Sequence, residues 1–177
     1  MPIKKTNSHK KNSNLKGFSL IEIVLYLGIA VFVLTTVTVF TANVLAARVK
    51  NQTIAEVEQQ GLQIMQILTQ TVRNSQKINS PAQGPAAASL SLDGYVSATN
   101  PTVFSLANNA ITMTEAGGTA VQLTSQRITA NQLSFQNLSR TGTRGLIRIS
   151  FTLNYLNPSG RNEYDFSRNF YTSVNLR

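Results

Sequence analysis

Few side chains in this sequence can do chemistry. There is no cysteine, and the single histidine is His9. A thiolate metal site, a Cys nucleophile and a histidine-based triad or zinc centre in the body of the chain are therefore excluded. No glycine-rich phosphate loop occurs. Beyond Lys77 the acids are Asp93, Glu115, Glu163 and Asp165. Glu163 and Asp165, two residues apart on one strand face, are the one carboxylate pair that acid–base work or a cation would need. Arg161 and Arg168 stand close enough in sequence to neutralise both, and the spacing is not that of a calcium loop. A solvated strand edge is the expectation, with no enzyme activity, no metal and no cofactor.

The basic residues offer a second chemistry. Arg140, Arg144 and Arg148 cluster in sequence, with Arg127 and Arg161 elsewhere and Tyr155, Tyr164 and Tyr171 interleaved. Such a pattern can grip phosphates and stack bases. It is also the pattern of ordinary solubility charge, so a DNA- or surface-binding module is an alternative and not the favoured reading. The formal net charge of +9 misleads here. Five lysines (Lys4, Lys5, Lys10, Lys11 and Lys16) and no acid fall in residues 1–17; without them 11 basic residues face 7 acidic ones. The high charge belongs largely to one short segment.

The third chemistry is a lone acid in the wrong place. From Phe18 to Ala47 the one charged residue is Glu22. A bilayer core takes about 20 apolar residues as a helix, and a carboxylate at its edge costs a few kcal/mol. The lysines precede the run, so the start is expected to stay cytoplasmic and the rest to be exported. A secretory signal cut near Ala46-Ala47, a plain membrane anchor and a buried core helix are the bland alternatives.

The order of residues at the junction separates these readings. Lys16-Gly17-Phe18-Ser19-Leu20-Ile21-Glu22 resembles the prepilin-type cleavage and methylation motif of type IV pilins and type II secretion pseudopilins. The resemblance implies cutting between Gly17 and Phe18 by a prepilin peptidase, methylation of the new Phe18 amino group, and a role for Glu22 in subunit assembly. It implies further partners: membrane lipid before assembly, other pilins or pseudopilins through the N-terminal helix, and an inner-membrane assembly platform. The implied location is the cytoplasmic membrane, single-pass, and then a pilus or pseudopilus filament.

These residues need elements to carry them. Val57, Gly61, Ile64, Met65, Leu68 and Val72 recur at helical spacing, with Gln59, Gln60, Gln63, Gln66 and Gln70 opposite. One helix from Phe18 to about Lys77 is predicted. Its halves are a membrane-spanning or filament-core part over 18–47 and an amphipathic part over 48–79, behind a cleaved leader over 1–17. Residues 80–177 read as a β-rich domain. Ser80–Ala88 is a linker loop, Asn108-Asn109 a tight turn between short strands, and Glu115–Gly118 a turn into a strand over Thr119–Thr124. Leu133–Leu138, the alternating run Ile147, Ile149, Phe151, Leu153, Tyr155, and Tyr164–Leu176 make an antiparallel meander. Arg168 interrupts the last apolar face, which predicts a bulge or an end-of-sheet position. A sheet with one wet face needs cover, and the amphipathic half-helix supplies it. The fold class is α+β, a long helix packed on an antiparallel sheet, pilin-like. The layout, with the tail Phe170–Arg177, is most similar to minor pilins of the PilW and J-type pseudopilin group. That similarity implies a structural subunit involved in filament initiation, priming or tip formation.

Overall fold

The computed structural model describes residues 17–142 and 145–177. The chain divides into two units, Met1–Val44 and Leu45–Arg177. Helix α1 (Leu20–Arg73, 54 residues) contributes to both.

In the first unit every described residue is exposed except the half-buried Glu22. The β-branched threonines, poor helix formers in water, are accommodated by back-bonding. Thr35, Thr36, Thr38 and Thr41 donate their hydroxyls to the carbonyls four residues earlier, at 2.8–2.9 Å. No threonine hydroxyl in this stretch therefore presents an unsatisfied donor to an apolar surrounding. The helix is long and apolar enough to cross a membrane.

In the second unit the helix buries one stripe: Thr53, Val57, Gly61, Ile64, Leu68 and Val72. The stripe packs into a single core with residues from two antiparallel sheets. The first sheet has the order β1-β3-β4-β5-β6, from Ser75–Ser80, Leu90–Gly94, Thr102–Ala107, Ala110–Glu115 and Val121–Gln122. It gives Leu90, Leu92, Phe104 and Ile111 to the core. The second has the order β2-β7-β8-β9, from Ala86–Ala87, Ile128–Asn137, Leu146–Tyr155 and Ser167–Asn175. It gives Phe135, Ile147, Ile149, Phe151, Leu153, Phe170 and Val174. The layout is α+β, with the helix as cover for both sheets.

The helix ends at Arg73 and not near Lys77. Asn74 donates its N–H to Gln70 O and Ser75 donates its hydroxyl to Thr71 O (2.6 Å), which closes the last turn. Residues 75–80 then pair with Leu90–Gly94 across two register shifts. Long-range pairing outweighs the weak helix preference of Ser75, Asn79 and Ser80.

The predicted linker is partly ordered pairing. Ala86 and Ala87 lie opposite Gln136 and Phe135, Gly84 N–H reaches Asn137 O (3.0 Å), and the Asn137 side chain donates to Pro81 O (3.1 Å). Asn108 and Asn109 take φ of 50° and 58°, the left-handed pair that a two-residue hairpin loop requires. Asn109 O accepts from Ala130 N–H (2.7 Å), which ties this hairpin to the second sheet. The strand expected over Thr119–Thr124 shrinks to Val121–Gln122, and that expected from Leu133 starts earlier, at Ile128, with a bulge between Asn131 and Ser134. The last strand starts at Ser167, because Asn162–Tyr164 form a 3-10 turn.

Candidate functional site

The N-terminal candidates lie together at the start of α1. Gly17 is exposed, and an added Cβ would meet nothing within 4 Å. Phe18 is 71% exposed and meets the Tyr26 ring edge-on, with centroids 6.4 Å apart. Ser19 O accepts the N–H groups of Glu22 (3.0 Å) and Ile23 (3.2 Å), so the carboxylate of Glu22 stands in the first turn. The helix dipole favours an anion there. Tyr26 donates its hydroxyl to Glu22 Oε1 at 2.9 Å. Phe18, Glu22 and Tyr26 thus form one row at i, i+4 and i+8. Nothing was expected of Tyr26 from the sequence, although its spacing from Glu22 is visible there.

The described basic candidates, Arg140 and Arg148, stand on different elements. Arg148 is exposed on the wet face of β8, between Gln136 and Ser173 in register. Arg140 is exposed in the turn after β7. Arg144 lies outside the described residues. Tyr155 and Tyr164 stack on each other at 5.7 Å with 10° between planes, and the Arg161 guanidinium lies 5.7 Å from the Tyr164 ring centre. One face of each ring is thus taken up by the other. Tyr171 is 82% exposed, on the wet face of β9.

The carboxylate pair is not a pair. Glu163 sits in the 3-10 turn and binds Arg161 at 2.9 Å. That hydrogen bond, with one from its own backbone, holds its carboxyl below the usual carboxylate range, against a small opposing effect of burial. Asp165 lies beyond the turn, and its backbone O, with Asn162 O, accepts the Lys50 ammonium at 2.6 and 3.0 Å. Arg168 was expected to neutralise these acids and to mark a bulge or an end-of-sheet position. There is no bulge in the β8–β9 register, but β9 is the end strand of its sheet, and Arg168 pairs with Glu58 on the helix. Glu56 meets Arg127 at 3.5 Å, and Gln60 accepts Ser125 N–H at 2.9 Å. The hydrogen bond that Arg127 donates to the Tyr155 oxygen, and the nearby Glu56 carboxylate, raise the pKa of its guanidinium further. The polar residues Lys50, Glu56, Glu58 and Gln60 therefore fasten the helix to β9 and to the loops around 125–127 and 162–165. Among the described residues no cluster of three metal-ligating side chains occurs. An open cleft of about 500 Å³ lies where the helix gives way to β1, edged by Arg73, Tyr95, Glu115 and Arg177.

No protein-family model, no curated protein and no solved structure matches this chain.

Proposed function

We propose that this chain is a structural subunit of a type IV pilus or type II secretion-like filament, a minor pilin or pseudopilin made as a precursor. The observation that carries the reading is Glu22: the one acid in the apolar run from Phe18 to Ala47, four residues after Phe18 and five after Gly17. Cutting between Gly17 and Phe18 would create a positive amino group beside a carboxylate that otherwise costs a few kcal/mol at the edge of a bilayer. That chemistry gives the acid a use. The basic residues 1–17 support a cytoplasmic start and an exported second unit. The helix would lie in the cytoplasmic membrane first and pack against other subunits' helices in the filament afterwards. N-terminal mass spectrometry of the membrane-bound protein tests this. Methylated Phe18 at the start is expected. An intact leader, or a cut near Ala47, overturns it in favour of a plain anchor or a secretory signal.

A further inference from the structure

Unpaired charge collects where α1 stops. Arg127, Arg161 and Arg168 each meet an acid, Glu56, Glu163 and Glu58 in turn. Arg73, the last residue of α1, and Arg177 are both exposed, and among the described residues neither has an acid within ion-pair distance. They nevertheless edge the same space. The cleft of about 500 Å³ beside β1 adjoins a second of about 480 Å³, and Arg73, Asn74 and Arg177 line both. Firm anchors hold them there. Asn74 and Ser75 close the last turn of α1. Leu176 is buried, donates its N–H to Gly145 O (2.8 Å) and, with Ile78 of β1, crowds the Cα of Gly145.

Two guanidiniums on one cleft repel each other. An anion between them removes the repulsion, and a guanidinium presents a planar fork of N–H donors that grips a carboxylate with two hydrogen bonds. The second cleft adds the amides of Gln70, Asn74 and Asn175 and is lined by no acid. The first cleft indicates what the anion is attached to. Tyr95 and Val96, 68% and 61% exposed, put apolar surface on its wall. Glu115 lines the same cleft and reaches neither arginine. That carboxylate, with the negative end of the helix dipole at Arg73, opposes a doubly charged anion more than a singly charged one. Together these favour a carboxylate over a phosphate dianion.

We propose that Arg73 and Arg177 bind a singly charged carboxylate that carries an apolar group, which Tyr95 and Val96 receive. Such a ligand is either a free organic acid or an acidic side chain beside an apolar one in a protein segment. Each cleft falls within the range of about 300–1,000 Å³ that ordinary ligand sites occupy. The site lies wholly within the second unit, so it is independent of how the N-terminus is processed and of whether the chain enters a filament.

Thermal unfolding of the full chain in a neutral detergent reads the binding, since a ligand of the folded state raises the midpoint with its concentration. N-acetylphenylalanine, a monoanion at neutral pH, is expected to raise it, and its uncharged amide at equal concentration is not. Acetyl-Glu-Phe-amide carries the same two groups as a peptide, and the stronger of the two acids identifies the source. Arg73→Gln and Arg177→Gln should each weaken binding about tenfold, the loss of a charged hydrogen bond. Unfolding of the free protein should not change, because both side chains are exposed. Glu115→Gln should tighten binding. Arg48→Gln, at an exposed arginine about 37 Å back along α1, should leave it unaltered, whereas attraction to general positive charge would respond to all three arginines. No rise with either acid, an equal rise with the amide, a larger rise with inorganic phosphate at equal ionic strength, or equal weakening by Arg48→Gln would overturn the proposal.

Discussion

The ring of Phe170 occupies the space that a side chain at Gly61 would fill: a Cβ built on Gly61 would overlap its Cζ and Cε atoms. Glycine is the worst ordinary residue for a helix interior, by about 1 kcal/mol against alanine. Here it lets the helix backbone approach β9, and Phe170 in turn stacks on Phe151 with centroids 5.3 Å apart. Gly61→Ala is therefore expected to destabilise the fold by about 1–3 kcal/mol through overpacking, where an exposed glycine would gain stability. Chemical denaturation measures it. Phe170→Leu in the same chain should recover part of the loss, and strict additivity of the two changes would show that they do not touch.

The helical stripe is a wall of the core and not an accessory. Val57, Ile64, Leu68 and Val72 are fully buried, as are Ile147, Ile149 and Leu153, with Phe151 nearly so. A fragment beginning near Ser80 would expose the inner faces of both sheets, at roughly 25 cal/mol per Å² of apolar surface. It is expected to aggregate, whereas a fragment beginning near Arg48 stays soluble and unfolds cooperatively. Equal solubility and equal melting of the two would refute the packing.

Which parts of this were legible in the sequence follows from the range of the forces. Val57 to Val72 repeat at the helical period, and Ile147 to Tyr155 alternate, because a single covered face imposes each pattern. The Asn108-Asn109 turn is local chemistry and is equally visible. The helix end at Arg73 is not, because residues 75–80 take their strand form from Leu90–Gly94, which lie beyond a loop. The division into two sheets hangs on short strands such as Ala86–Ala87, too brief to carry a period. Arg168 looks like a flaw in an apolar face until Glu58, 110 residues earlier, is brought beside it. Tyr26 and Glu22 are the reverse case, a site contact written entirely in local i,i+4 spacing.

The Arg161–Glu163 contact sets a pH expectation. A carboxyl held down in the folded state stabilises the fold at pH above its unfolded value of about 4.3 and loses that contribution as pH falls through the lower folded one. NMR titration should find Glu163 protonating at lower pH than the free side chain. Arg161→Gln should move it back up, since the hydrogen bond from Arg161 is the largest cause. The pair lies at the surface, Arg161 exposed and Glu163 half-buried, so the unfolding midpoint at neutral pH should change little.

Gly17 offers an unusually clean test of processing. Its Cβ position is empty space, so a bulky side chain there disturbs nothing in the described fold. Gly17→Leu should nonetheless make the long form accumulate in membranes, seen as an added leader mass, if a peptidase must approach this backbone closely. Normal cleavage of Gly17→Leu would detach the junction from the prepilin reading.

Glu22 has two candidate partners, and they can be told apart. Within the chain, the Tyr26 hydroxyl already gives it one hydrogen bond at 2.9 Å, of the charged kind worth about 1.5–3 kcal/mol. Between chains, the amino group released at Phe18 of a neighbouring subunit would give it an opposite charge and fix the axial register. Glu22→Ala removes both and makes the helix more apolar, so cleavage and membrane insertion should persist while recovery of other filament subunits in a membrane pull-down falls. Tyr26→Phe removes the hydroxyl alone and keeps the carboxylate for its neighbour. Partner recovery should therefore fall much less than with Glu22→Ala. Equal losses would mean that the intrachain bond, by fixing the carboxylate, is what assembly requires. Unchanged recovery with Glu22→Ala would make the acid a passenger at the membrane edge and remove the residue on which the filament reading rests.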